Sequence, residues 1–134
     1  MLETIFRSRK PLFIAEIGLN HNGDIDTAEK MIEKAAESGA HAVKFQTFIP
    51  ELMNSPLTSS LMKGDAEPVK DESIIDFFGT FVFSRDQWIR LKKKAEECGV
   101  VFFSAPFDPP SVDLLESIDV PLYKIASSEV TNPV

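Results

Sequence analysis

The sequence predicts an α/β fold in which helices cover a parallel sheet. Three observations lead to this prediction. Short, nearly continuous apolar segments alternate along the chain with segments of helical periodicity. The helical segments have capping residues near their starts and glycine at their ends. Strands that are apolar at nearly every position are typical of parallel sheets, because both faces of such sheets are buried.

The first strand–helix unit is the clearest example of this pattern. Residues 12–18 form an apolar, strand-like segment that is followed by a polar loop. Asp24 or Asp26 is expected to cap the next helix, and Gly39 lies where a C-terminal glycine is expected. The apolar stripe of this helix consists of Ala28, Met31, Ile32, Ala35 and Ala36.

The later units repeat the alternation. Ser84 and Gln87 have the spacing of a capping box, and Gly99 is expected to end the helix that they begin. Asp108 and Pro109 open a shorter helix, with proline at its first position. Three further strands are predicted at residues 42–48, 100–107 and 122–127.

Residues 49–83 interrupt this alternation of strands and helices. They form a long insertion that contains an apolar patch with several phenylalanines. Long loops in compact domains are usually functional or disordered. Three interpretations are open: a surface excursion that packs its own aromatic side chains, a lid or substrate-contacting loop on the active-site face, or a contact between subunits.

Composition narrows the class of protein. The chain has 134 residues, 43% of them hydrophobic, which is sufficient for one ordinary domain with a core. Its net charge of −7 argues against nucleic acid as the main partner. No apolar run is long enough to span a bilayer, and no signal peptide is recognisable, so the prediction is a cytoplasmic protein without membrane contact. The single cysteine, Cys98, is interpreted as a small buried hydrophobe.

About four strands in this length fit either a doubly wound sheet or part of a (β/α)8 barrel. A complete barrel needs roughly 250 residues, and no helix follows the last predicted strand. We therefore expect residues 1–134 to be the N-terminal half of a TIM barrel, either as a natural truncation or as a fragment. Open sheet edges invite pairing, so a homodimer is also expected.

Two lysines interrupt apolar, strand-like segments. These are Lys44 and Lys124, and Glu16 is a third ionisable residue in a similar setting. Lysine is almost never buried without a partner, so two such placements predict an anion-binding active site. The alternatives are lysines that extend from strand ends to solvent, or an ion pair in which Glu16 only neutralises a lysine.

Side-chain alternation places several polar residues on one face of the predicted sheet. Active sites of barrels and open α/β sheets lie at the carboxyl ends of the strands. Two ammonium groups and a hydroxyl there suit a phosphate or a carboxylate. The residues expected to converge are Glu16, Lys44, Gln46, Ser104 and Lys124, with Ser127 at the end of the last strand.

Four segments, taken together and in this order, resemble the sialic acid synthase family. Its members include N-acetylneuraminate, legionaminate and pseudaminate synthases and spore-coat polysaccharide synthases. The resemblance covers nearly the whole chain apart from the insertion. The segments are residues 14–24 (IAEIGLNHNGD), 42–47 (AVKFQT), 103–108 (FSAPFD) and 123–129 (YKIASSE).

The resemblance implies a (β/α)8 barrel, usually followed by a small antifreeze-like domain, and a transferase that forms a C–C bond. The implied substrates are phosphoenolpyruvate and an N-acetylmannosamine-type aldose, which give a nonulosonic (sialic-type) acid and phosphate. The family also uses a divalent metal, Mn²⁺ or Mg²⁺. Its metal-binding histidines and the antifreeze-like domain correspond to positions beyond residue 134, so no metal site is expected within this chain.

Carried over by motif, the resemblance assigns phosphoenolpyruvate binding to Lys44, Lys124 and Ser127. Glu16 is the implied catalytic carboxylate. Ala105 stands where many relatives have a threonine that helps to bind phosphoenolpyruvate. His21 is interpreted either as lining the site or as stabilising its loop. The residues with supportive roles are Gln46, Ser104, Glu129 and His21.

Two other functions remain open from the sequence. One is an inactive half-barrel that serves as a binding or assembly module. The other is an aldolase that forms a Schiff base through Lys44 or Lys124.

Overall fold

The computed structural model describes residues 11–53 and 74–131 of the chain. Within them one parallel sheet has the order β1-β2-β3, with β1 at Ile14–Gly18, β2 at Ala42–Thr47 and β3 at Val101–Pro106. The helices are α1 (Ile25–Glu37), α2 (Pro50–Met53), α3 (Ile74–Gly79), α4 (Arg85–Glu97) and α5 (Pro109–Glu116). None of the helices in these ranges is both long enough and apolar enough to cross a membrane. The predicted α/β class with a parallel sheet is confirmed.

Both long helices begin at the predicted residues. The Asp24 side chain caps α1 by accepting hydrogen bonds from the Asp26 backbone N–H at 3.1 Å and the Thr27 hydroxyl at 2.6 Å. At the start of α4, Ser84 and Gln87 form a reciprocal capping box, in which the Ser84 N–H donates to Gln87 Oε1 at 2.8 Å. These contacts satisfy N–H groups that have no partner within the first helical turn.

The hydrophobic core lies between the sheet and the two long helices. Phe45 of β2 packs against Phe102 of β3, with ring centroids 5.3 Å apart, and against Trp88 of α4 at 5.7 Å. Ile32 of α1 and Leu91 of α4 are fully buried in the same cluster. Fully burying a side chain of this size contributes about 1.5–3 kcal/mol. This cluster therefore joins the layers, and the Phe45 side of the sheet is called the helix-facing side below.

A group of surface ion pairs joins α1 to α4. The Arg90 guanidinium contacts Asp26 and Glu29, each at 2.7 Å, and Lys94 Nζ contacts Glu33 at 2.9 Å. The hydrogen bonds that Arg90 and Lys94 donate to these carboxylates raise the pKa of both basic groups. Exposed pairs contribute little individually, so these pairs add only modestly to the packing of α1 against α4.

Asp108 begins α5 and connects two loops. Its Oδ1 accepts the Ser111 N–H and its Oδ2 accepts the Ile49 N–H, both at 2.7 Å. Pro109 occupies the first position of the helix, as predicted. The loops that leave β2 and β3 are thus held together at the carboxyl end of the sheet.

The predicted insertion, residues 49–83, contains α2 and α3 near its two ends, and its central part, residues 54–73, lies outside the described residues. Phe78 of α3 packs edge-on against Phe48, with ring centroids 5.7 Å apart, and Phe48 packs against Phe107 at 6.3 Å. The aromatic patch predicted in this region therefore contacts the residues that follow β2 and β3.

The prediction of a fourth strand at residues 122–127 is wrong for the described part of the chain. A single bridge joins Ser104 to Tyr123, and the Lys124 N–H donates to the Ser104 carbonyl at 3.1 Å. Pro121 has no N–H to donate, and the chain enters a turn at residue 127. The segment thus lies beside β3 without forming a regular ladder.

Candidate functional site

Glu16, Lys44 and Gln46 lie on the face of the sheet opposite the helix-facing side. The parallel register pairs Glu16 with Lys44 directly, and Gln46 follows two residues later on the same face. Lys44 Nζ forms an ion pair with Glu16 Oε2. The Lys44 side chain is 15% exposed and the Glu16 side chain 45% exposed, so the ammonium is the more deeply placed partner. Glu16 supplies the carboxylate that such a lysine requires.

A β-bulge in β1 separates the site from the loop that follows. Glu16 is opposite Lys44 but Gly18 is opposite Phe45, so Ile17 is an extra residue relative to β2. Bulges occur frequently next to active sites, where they change the direction of a side chain. Ile17 is buried in the core, while Glu16 remains on the Lys44 face.

Gly18 permits the close approach of two polar groups. Its φ of 54° is in the left-handed region. A methyl group on its Cα would lie 3.1 Å from Glu16 Oε1 and 3.5 Å from Gln46 Nε2. Gly18 was not among the predicted site residues, although a glycine at the end of a strand is a known signal of close approach.

Lys124 directly follows the bridge that joins Tyr123 to Ser104. Its N–H donates to the Ser104 carbonyl at 3.1 Å, and the next residue of β3, Ala105, pairs with Gln46. The Lys124 side chain is exposed.

Ser127 and Glu129 lie in the turn that follows this bridge. Ser127 is exposed and Glu129 is half-buried. The Glu129 N–H donates to the Ala126 carbonyl at 3.0 Å, which closes the turn. The contacts of Ser127 and Glu129 with a ligand stay predictions.

The prediction that Ser104 shares a face with Lys44 is wrong. Ser104 pairs with Phe45 and is fully buried. Its hydroxyl forms a hydrogen bond of 2.7 Å with the Thr47 hydroxyl on the helix-facing side. Both faces of β3 are buried, so its hydrophobic pattern could not indicate which residues face the site. Ala105 lies on the Lys44 face instead.

His21 lies in the loop between β1 and α1 and is 1% exposed. Its Nδ1 accepts the Gly23 N–H at 3.0 Å, and its ring lies 4.4 Å from the Phe83 ring and 6.1 Å from the Phe45 ring. Burial lowers the pKa of His21, against a smaller opposite effect of the Gly18 backbone. Of the two interpretations offered by the sequence, this geometry favours the one in which His21 stabilises its loop.

A cavity of about 90 Å³ lies on the helix-facing side, next to Thr47, Trp88 and Ser111. None of the described residues that line it is charged. Apolar cavities with a few polar groups often bind ligands, but an anion requires cations or strong hydrogen-bond donors. Lys44 is on the other face, so the candidate site lies there rather than in this cavity.

Tyr123 anchors the segment that carries Lys124. Its hydroxyl donates to Glu116 Oε1 at 2.5 Å. Burial raises the pKa of Tyr123 to about 12, and the hydrogen bond and charge of Glu116 contribute to the shift. The chain has one tyrosine, so tyrosinate absorbance reports on this residue alone. We expect its titration midpoint near pH 12, compared with about 10 for an exposed tyrosine.

The variant Glu116→Gln tests the origin of this shift. Its midpoint should lie between the two values, because the charge is removed while burial remains. The pKa is raised in the folded state, so the contribution of Tyr123 to stability is complete below about pH 10 and is lost as pH rises through about 12. An unchanged midpoint in this variant would show that Glu116 has no effect on Tyr123.

The comparisons with known proteins identify the family. The NeuB family model matches residues 31–133. The chain belongs to the NeuB family. The resemblance carried by the four sequence motifs is thereby confirmed.

The curated relatives of this NeuB-family chain include N,N'-diacetyllegionaminic acid synthase from Campylobacter jejuni, which is 39% identical over 92% of this chain and 37% of the relative. Human N-acetylneuraminate-9-phosphate synthase is 35% identical over 91% of this chain and 34% of the relative.

A solved structure is also similar to this NeuB-family chain. It is the N-acetylneuraminic acid (sialic acid) synthetase of Leptospira borgpetersenii in complex with citrate, with a TM-score of 0.71 and 31% identity. The match covers 90% of this chain and 38% of the synthetase. The chain thus spans about a third of the length of the curated relatives that it matches.

A metal was implied by the family resemblance. Among residues 11–53 and 74–131, no group of three or more His, Cys, Asp or Glu side chains could hold a metal ion. The described residues therefore do not fit a metal centre.

Proposed function

We propose that this NeuB-family chain forms part of an enzyme that condenses phosphoenolpyruvate with an N-acetylmannosamine-type aldose. The product is a nonulosonic, sialic-type acid, and phosphate is released. The observation that carries this proposal is the grouping of Glu16, Lys44 and Gln46 on one face of the sheet, before the bulge of β1, with Lys124 in the segment that bridges to β3. Relatives that are named as nonulosonic acid synthases support the same reaction class.

In this proposal the two lysines bind the anionic groups of phosphoenolpyruvate. Its carboxylate and phosphate both require cations or hydrogen-bond donors, and a lysine ammonium acts as a compact point charge for such groups. Lys44 and Lys124 supply two ammonium groups, and Ser127 adds a hydroxyl near the end of the segment. The citrate in the related Leptospira structure is likewise a polyanion.

Glu16 has two successive roles. Its carboxylate forms an ion pair with Lys44. A substrate anion that binds Lys44 replaces this carboxylate, which then becomes available to accept a proton or to orient water. Gln46 lies beside the same carboxylate and is proposed to orient it.

The proposed bond changes conserve atoms and charge. C3 of phosphoenolpyruvate forms a bond to the aldehyde carbon of the aldose, and the aldehyde oxygen takes up a proton. Water adds its oxygen to C2 and loses a proton. The bond between C2 and the bridging oxygen breaks, the C2 hydroxyl gives its proton to the departing phosphate, which leaves as hydrogen phosphate, and C2 becomes a ketone. Phosphoenolpyruvate, aldose and water thus give the sugar acid and phosphate.

We also propose that the described sheet is part of a (β/α)8 barrel and that the protein is a homodimer. Within the described residues β1 is paired on one side only. Phe13 and Ile14, at the start of this strand, are 64% and 45% exposed. An open edge with apolar neighbours favours association, and sedimentation velocity of the full chain measures it.

The experiment that tests the reaction uses phosphoenolpyruvate with heavy oxygen in the bridging position. The full chain is incubated with this substrate, N-acetylmannosamine and Mn²⁺, and the products are analysed by mass spectrometry. The proposal predicts a nonulosonic acid and phosphate that retains the heavy oxygen, because the C–O bond is the one that breaks. Heavy oxygen in the sugar acid would contradict it.

Two further measurements separate the alternatives. A Schiff-base aldolase would be trapped covalently at a lysine by borohydride in the presence of a carbonyl substrate. A binding module would bind phosphoenolpyruvate in calorimetry without releasing phosphate.

A further inference from the structure

The cavity beside Thr47 lies where several parts of the fold meet on the helix-facing side. The end of β2, the segment before α4 (residues 81–83) and the start of α5 all border it, and Trp88 of α4 lines it as well. Its volume is about 90 Å³. A single water molecule needs roughly 10–15 Å³ of such space, so the cavity has room for more than one.

The hydroxyl pair next to this cavity leaves one proton without an acceptor. Thr47 and Ser104 share one hydrogen bond of 2.7 Å, in which either hydroxyl could donate. Each hydroxyl carries one proton, so the pair has two protons and a single internal bond. Thr47 lines the cavity, whereas Ser104 is fully buried and does not. An unpaired buried proton on Ser104 would be costly, so Ser104 is the expected donor and the Thr47 proton is available to the cavity.

Two further polar groups border the same cavity. The Trp88 indole N–H and the Ser111 hydroxyl form no hydrogen bond within residues 11–53 and 74–131, although both residues are only 2% exposed. In these ranges, His21 Nε2 is the single polar side-chain atom that is fully buried without a partner. The polar atoms of Trp88 and Ser111 are therefore not fully enclosed by protein, and space for a water-sized molecule adjoins each of them.

The chemistry of the lining selects a small neutral ligand. None of the described residues around the cavity is charged. The first turn of α5 offers no free amide, because its first two residues are prolines without an N–H and the Ser111 N–H donates to Asp108 Oδ1 at 2.7 Å. An anion would thus lack both cations and free amides. Water can accept from the indole and can either accept from or donate to a hydroxyl.

We propose that this cavity is a hydration site, in which ordered water molecules accept the Trp88 N–H and bond to the Thr47 and Ser111 hydroxyls. The water joins the end of β2 to α4 and α5, whose three side chains make no direct hydrogen bond to one another in the described part of the chain. A buried water typically makes about three hydrogen bonds to groups that otherwise lack partners, which matches the three groups here. The inference does not depend on the proposed reaction.

The chain has one tryptophan, so its indole proton reports on the site in solution. We expect a cross peak between water and this proton in nuclear Overhauser spectra of the full chain, and the rotating-frame version separates dipolar contact from proton exchange. Ser111→Ala removes one hydroxyl and keeps the backbone N–H that Asp108 accepts, so the cross peak should be strongly reduced. Ser117→Ala is the matched control, because the Ser117 hydroxyl donates to the Leu114 carbonyl at 2.7 Å and does not line the cavity. Its cross peak should equal that of the wild type.

A crystal structure of the wild-type chain tests the site without any variant. Density for water should lie within about 2.7–3.2 Å of Trp88 Nε1 and of Ser111 Oγ. Crystals under xenon pressure should show no xenon in the cavity, because xenon occupies dry, apolar cavities. The inference would be overturned by xenon at this place, by an indole N–H bonded directly to another part of the chain, by the absence of a dipolar cross peak in the wild type, or by an unchanged cross peak in Ser111→Ala.

Discussion

Gly23→Ala is expected to destabilise the fold by about 2–5 kcal/mol. A left-handed backbone costs an L-residue about 1–2 kcal/mol, and the φ of Gly23 is 74°. The new methyl group would also lie 2.0 Å from the Thr80 carbonyl oxygen. This oxygen belongs to the backbone and cannot rotate away, and overpacking of this kind typically costs about 1–3 kcal/mol more. Urea unfolding at neutral pH measures the loss.

Gly99→Ala is the matched control for this substitution. Gly99 has nearly the same φ, 72°, but no atom lies within 4 Å of the position that its methyl group would take. Only the backbone cost applies there, so we expect about 1–2 kcal/mol. The difference between the two variants isolates the contact between the β1–α1 loop and the Thr80 carbonyl. Equal losses would mean that this contact is not tight in solution.

Lys44→Met is expected to weaken phosphoenolpyruvate binding by about 1.5–3 kcal/mol, the typical contribution of a hydrogen bond to a charged group. This corresponds to roughly a tenfold to 150-fold loss of affinity. Methionine retains much of the length and apolar character of the lysine stem, so the change removes mainly the ammonium. Glu16 is left without its partner, but its side chain is 45% exposed and can be hydrated. Calorimetry of the full chain with phosphoenolpyruvate gives the affinity.

Lys93→Met is the matched control, because the Lys93 side chain is 75% exposed on α4 and its only described ion pair is a long 3.9 Å contact with Glu97. Its affinity for phosphoenolpyruvate should equal that of the wild type. Lys124→Met should show a loss similar to that of Lys44→Met. Wild-type affinity in both of these variants would remove the proposed role of the two lysines.

The parts of the fold that were predictable from sequence depend on local chemistry. Asp24 and the Ser84–Gln87 pair mark helix starts through side chains that bond backbone groups within a few residues. Gly39 and Gly99 mark helix ends because both adopt positive φ there. These signals depend only on residues close by in the sequence. The sequence pattern was therefore sufficient to locate the starts and ends of the two long helices.

The parts that were missed depend on contacts between distant segments. The orientation of Ser104 is set by the pairing of β3 with β2, and a strand that is buried on both faces has no alternation to reveal it. The enclosure of His21 is formed by phenylalanines more than twenty residues away along the chain. The segment around Tyr123 has the composition of a strand, but a strand also needs a continuous ladder of hydrogen bonds to a neighbouring strand. Here a single bridge joins it to β3. Lys44 and Glu16 were located because a charged residue within an apolar strand is visible in the sequence itself.

The bulge at Ile17 has a consequence for the evolution of this chain. Loss or gain of one residue between Ile14 and Glu16 would exchange the two faces of β1. The carboxylate would then enter the hydrocarbon interior, and an aliphatic side chain would contact the lysine. Substitutions in this strand can be accommodated one at a time, but a change in its length needs a compensating bulge, of the kind that absorbs the extra residue Ile17. Natural variants of the strand are therefore expected to differ in residue type while conserving the residue count up to Gly18.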